Sequence, residues 1–135
     1  MTMRLLAAVA VLVSAAVHFY LWFDVFSSED VVGPAFLLNA FGGAAIAVLL
    51  VVWRHWLPPL LAIGFGVSTL TAFVIATTVG LFGVHEHWTG WAVWTAAAAE
   101  VVAVLAGAAA LLASRPAASG VEAQNHEPVR GAHLH

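Results

Sequence analysis

Four stretches of this chain are apolar for about twenty residues or more, and together they fill most of its 135 residues. A helix needs about 20 mainly apolar residues, at 1.5 Å each, to cross the hydrocarbon core of a bilayer. The first stretch runs from about residue 5 to 26, with His18 and Asp24 as its only ionisable side chains. The second, about 33–53, and the third, about 57–82, have none, and the fourth, about 89–113, is interrupted only by Glu100. The third opens with Pro58-Pro59, which a first helical turn tolerates because its N–H groups lack intrahelical partners anyway. Only 8% of the residues are charged and 63% are hydrophobic, whereas a soluble domain carries about a quarter charged residues. Such a chain cannot cover a water-facing surface, and it is too apolar for a disordered one. The expected fold is therefore all-α, an integral membrane four-helix bundle in the lipid bilayer.

Short connections separate the spans: Ser27-Ser28-Glu29-Asp30, Arg54-His55-Trp56 and Gly83-Val84-His85-Glu86-His87. Residues 114–135 lose the apolar character and read as a disordered tail. Residues 1–16 resemble a signal peptide, but the apolar run continues through His18-Phe19-Tyr20-Leu21-Trp22-Phe23 to spanning length, which favours a retained helix. With four spans both termini share one side. Arg4, Arg54, Arg115 and Arg130, the only Lys or Arg residues, all fall there, while Asp24, Glu29, Asp30 and Glu86 fall on the other. Basic residues are retained in the cytoplasm, so a multi-pass plasma-membrane protein with cytoplasmic N- and C-termini is expected. Four cations are too few for a nucleic-acid surface, and the absence of cysteine removes disulfides, thiolate nucleophiles and iron–sulfur ligands.

Lipid gives no hydrophobic drive for helices to associate, so rows of small residues should turn inward. The expected inward rows are Val11, Ser14, Ala15, His18 and Trp22; then Ala35, Asn39, Gly42, Gly43 and Ile46. The third span offers Gly64, Ser68, Thr71, Ile75 and Thr78, and the fourth Ala96, Ala97, Glu100, Ala103 and Gly107. The hydroxyls of Ser14, Ser68, Thr71, Thr77 and Thr78 are expected mainly to bond back to their own helices.

Glu100 stands apart, because a carboxylate near the bilayer centre costs about 2.5 to 3.5 kcal/mol on insertion scales. It lies about eleven residues, roughly 16 Å, from the acidic end of its span; His18 lies about eight residues, roughly 12 Å, from the same end of the first. Asn39 enters its helix from that side at a similar depth. His18, Asn39 and Glu100 are thus expected to meet, with Ser14, Thr71 and Thr78 in support. Three roles stay open for the cluster: a buried hydrogen-bonded pair that fixes helix register, a proton or metal-ion relay, or a haem or metal ligand in His18. His85, Glu86 and His87, with Asp24 approaching from the neighbouring connection, form a weaker candidate site for zinc or copper, whose ligands are imidazole and carboxylate. No phosphate-binding loop, His-Glu-x-x-His zinc helix or Gly-x-Ser-x-Gly elbow is present.

The segments His18-Phe19-Tyr20-Leu21-Trp22-Phe23-Asp24 and Gly33-Pro34-Ala35-Phe36-Leu37-Leu38-Asn39 resemble small four-span membrane proteins of high-GC actinobacteria. The likeness continues loosely through Thr78-Val79-Gly80-Leu81-Phe82-Gly83 and Glu100. It implies the four-span topology and, since no activity attaches to that group, no functional residues. The expected function is a non-enzymatic accessory or assembly subunit, with a membrane protein or a second copy as partner. The alternatives are proton- or metal-ion-coupled transport through the His18–Glu100 pair and, third, a haem- or metal-binding redox protein.

Overall fold

Residues 1–81 and 89–115 are described by a computed structural model of the chain. Every apolar stretch becomes a helix: α1 is Thr2–Leu21, α2 Val32–Val52, α3 Leu57–Thr78 and α4 Trp91–Ala113. A five-residue π-helical turn, Trp22–Phe26, continues α1, giving a first span of 25 residues. All four helices are long and apolar enough to cross a membrane, and no strand occurs among the described residues. The protein is an all-α four-helix bundle, a small integral membrane protein. Phe82 and the end of the expected third span, the His85-Glu86-His87 segment and the tail from residue 116 lie outside the described residues.

Backbone chemistry sets the helix ends. Pro58 and Pro59 occupy the first turn of α3, where a missing N–H costs nothing. At its far end Gly80 takes a positive φ of 85°, and its N–H donates to the Ile75 carbonyl at 3.0 Å. That left-handed residue stops the helix before the expected boundary at residue 82. The C-terminal end of α2 and the connection after it meet Arg4, which the sequence marks only by its charge. Its Nε donates to Leu50 O at 3.0 Å, its Nη1 to His55 O at 3.0 Å and its Nη2 to Trp53 O. Arg4 is buried although charged, because α2 would otherwise end on unpaired carbonyls.

Helix α1 is the central element, packing along both α2 and α4; α3 leans mainly on α4 and touches α2 only lightly. A layer of small and branched residues fills the middle, including Ala7, Val11, Ala47, Leu50, Ala62, Ala103 and Ala106. Leu, Val and Phe side chains such as Leu12, Leu38, Phe41, Val52 and Leu105 face outward, as lipid contact requires. The contact of α3 with α4 depends on glycine: a Cβ at Gly66 would come 2.7 Å from Val104 Cγ2 and 2.8 Å from the Glu100 carbonyl oxygen.

The expected inward rows hold for α1 and α4, where Val11, Ser14, Ala15, His18, Ala96, Glu100, Ala103 and Gly107 are buried and Trp22 and Ala97 half-buried. On α2 the row is rotated. Ala35 is exposed and Asn39, Gly42 and Ile46 are half-buried, and the buried line runs Ala40, Gly43, Ala47 and Leu50. On α3 the expectation fails, because Gly64, Ser68, Thr71, Ile75 and Thr78 all face outward. The helix instead buries Pro59, Ala62, Gly66 and Ala76. Two small-residue rows compete on this helix, and the one that fits between the side chains of α4 wins. The losing row tolerates lipid because the Thr71 hydroxyl donates to Val67 O at 2.7 Å and the Thr78 hydroxyl to Val74 O at 2.7 Å.

Candidate functional site

Ser14 and His18 lie one turn apart on α1, and Glu100 faces them from α4. All three are buried, with Glu100 only 2% exposed. The Ser14 hydroxyl donates to Glu100 Oε1 at 3.1 Å. Its single proton therefore crosses to α4 and does not return to its own helix, unlike those of Thr71, Thr77 and Thr78. His18 Nδ1 sits 2.8 Å from the Ser14 carbonyl oxygen and 3.3 Å from the Ser14 hydroxyl. A carbonyl can only accept, so Nδ1 carries a proton. In the neutral ring Nε2 is then a lone-pair acceptor, and it lies 3.9 Å from Glu100 Oε1. Attraction between those two atoms needs one proton, held either by the imidazole or by the carboxyl group.

Asn39, expected beside this group, lies on the flank of α2 that faces α3. Its Nδ2 donates to Thr69 Oγ1 at 2.8 Å, and Thr69 donates onward to Phe65 O at 2.8 Å. The Asn39 Oδ1 is buried without a hydrogen-bond partner among the described residues. Sequence reasoning passed over Thr69; its signal is position, since it continues the buried line of Ala62 and Gly66 at helical spacing. The structure thus joins Ser14, His18 and Glu100, pairs Asn39 with Thr69, and leaves Thr71 and Thr78 on the outer face of α3.

A cavity of about 350 Å³ opens over His18 and Glu100 toward the acidic end of the bundle. All four helices contribute to it, and the light contact between α2 and α3 leaves it room. Phe36 packs against the His18 ring at 5.1 Å between centroids and against Phe26 at 4.6 Å. Tyr20 and Trp91 pair at 5.3 Å, and Asp24 also lines the cavity. At the other end a second cavity of about 400 Å³ lies among Met1, Arg4, Arg54 and Ser114.

Among the described residues no three His, Asp or Glu side chains converge as a metal site requires. His18 and Glu100 supply two donors, and Asp24 stands at the acidic end while His85, Glu86 and His87 are outside the described residues. Of the described histidines, His18 and His55 belong to opposite ends of the bundle, so they cannot form an axial pair for one haem. Compared with protein-family models, with curated proteins and with solved structures, the chain matches none.

Proposed function

We propose that this small integral membrane protein is a non-enzymatic accessory or assembly subunit that docks a transmembrane helix of a partner against the outer face of α3. The observation that carries this reading is the outward row of Gly64, Ser68, Thr71 and Thr78. Among the described residues, no atom outside its own stretch of helix lies within 4 Å of where a Gly64 Cβ would be, so no described contact within the bundle uses the absent side chain. Glycine inside a helix costs about 1 kcal/mol relative to alanine, and small residues are what let two spans approach closely in lipid. We place the protein in the plasma membrane with both termini cytoplasmic, on the support of the arginines gathered at one end. Transport through the His18–Glu100 region has less behind it, because the packed layer around Val11, Leu50, Ala62 and Ala103 separates that site from the arginine end.

Affinity purification of the full chain from its native membrane in mild detergent, read by mass spectrometry, tests the docking. A stoichiometric membrane partner should accompany the wild type and be lost from Gly64→Leu, which still accumulates in the membrane because the site is open. Recovery of the wild type as clean monomers or homo-oligomers would sink the reading.

A further inference from the structure

The cavity at the acidic end has a chemistry that partner docking does not use. Its volume of about 350 Å³ falls within the range of small-molecule pockets, about 300 to 1,000 Å³. Glu100 lines the cavity, and its Oε1 accepts the Ser14 proton. His18 has spent its Nδ1 proton on the Ser14 carbonyl, and Thr69 has spent its own on Phe65 O. The polar floor therefore offers acceptors. The walls are aromatic, formed by Phe26, Phe36, Phe73, Tyr20 and Trp91, and ring faces attract positive charge. Asp24 adds a second carboxylate to the lining, which contains no Lys or Arg among the described residues.

With an ammonium group in place of the proton between His18 and Glu100, acid, lone pair and ring faces all favour the same sign of charge, and the walls favour an apolar body. We propose that this cavity binds a small organic cation, an amine or quaternary ammonium carrying an apolar or aromatic group, with its charge at Glu100 and its body among the rings. A bare metal ion fits less well, since two donors do not complete a coordination shell and apolar walls give a hydrated ion nothing. A lipid acyl chain would fill the volume but leave Glu100 without a counter-charge.

The test uses the full chain in lipid nanodiscs, with equilibrium dialysis of benzyltrimethylammonium and, as the probe of opposite charge, phenylacetate. Saturable uptake of one cation per chain is expected, without saturable uptake of phenylacetate. Glu100→Gln should weaken the cation by about tenfold or more, the scale of a lost hydrogen-bonded charge. Ala72→Phe, which fills the cavity from α3, should abolish uptake, and the exposed Asp24→Asn, which cannot disturb the core, should weaken it by roughly twofold to fivefold. No saturable uptake by the wild type, equal uptake of phenylacetate, or unchanged affinity in folded Glu100→Gln overturns the proposal. Should Glu100→Gln fail to fold, unchanged affinity in both Ala72→Phe and Asp24→Asn overturns it as well. Cation uptake and partner capture are separate readouts, so either can fail without the other.

Discussion

Ser14 has one hydroxyl proton and gives it to a carboxylate 86 positions away in the chain, at 3.1 Å. Removing it leaves a buried carboxylate oxygen without its donor, and such a loss costs about 1 to 3 kcal/mol. Ser14→Ala should therefore destabilise the bundle by about that amount. Combined with Glu100→Leu, which removes the acceptor, its effect should be smaller than the sum of the two alone, with a coupling of about 0.5 kcal/mol or more. Unfolding titrations in mixed micelles of the two single variants and the double measure this; strict additivity would mean that the contact is not formed. Glu100 and His18 were conspicuous in the sequence for one reason, the cost of an ionisable group in hydrocarbon, and their depth followed from residue counts at 1.5 Å per residue. What counting could not provide was direction around the helix. Asn39 has a similar depth but faces α3, and only the packing of α2 decides that it meets Thr69 rather than Glu100.

The same division between depth and direction runs through the helices. Their apolar length was plain from composition, because lipid leaves few ways to satisfy a backbone other than a helix. The face that each helix buries was plain only where one small-residue row stands alone, as on α1 and α4. On α3, Gly64 and Gly66 lie two positions apart and so on different faces, and both rows have the same composition cues. Their substitutions should separate cleanly. Gly66→Val places methyl groups against Val104 and the Glu100 carbonyl and should cost about 1 to 3 kcal/mol, the usual cost of overpacking. Gly64→Ala meets open space and should be neutral or stabilising by up to about 1 kcal/mol through helix propensity. Thermal unfolding of the purified proteins in one detergent compares them, and a destabilised Gly64→Ala would show that α3 buries the other row. The π-helical turn at Trp22–Phe26 has no sequence signal of its own: four of its five residues are apolar, and Asp24 marks only the approach to the span's end.

Taken together, the bundle has two chemically different ends. One gathers Arg4, Arg54 and Ser114, and the other carries Asp24, Glu29 and Asp30 near the exposed rings of Tyr20, Phe23 and Trp91. Because the chain has no cysteine, single introduced thiols report its orientation without background. In intact cells Glu29→Cys should react with a membrane-impermeant maleimide, and Arg54→Cys should react only after permeabilisation. The opposite pattern would place the termini outside. The guanidinium of Arg4 also carries a consequence for how the protein is made. Its three acceptors belong to residues 46 to 51 positions further along the chain. While the ribosome has delivered only the first helix, that charge has water and lipid headgroups as its sole company. Its acceptors exist only once the second helix has returned to the same side. The smallest piece of this chain in which Arg4 can exchange that company for its three carbonyls is therefore a pair of helices, and the pairing of α1 with α2 should be the step that buries it.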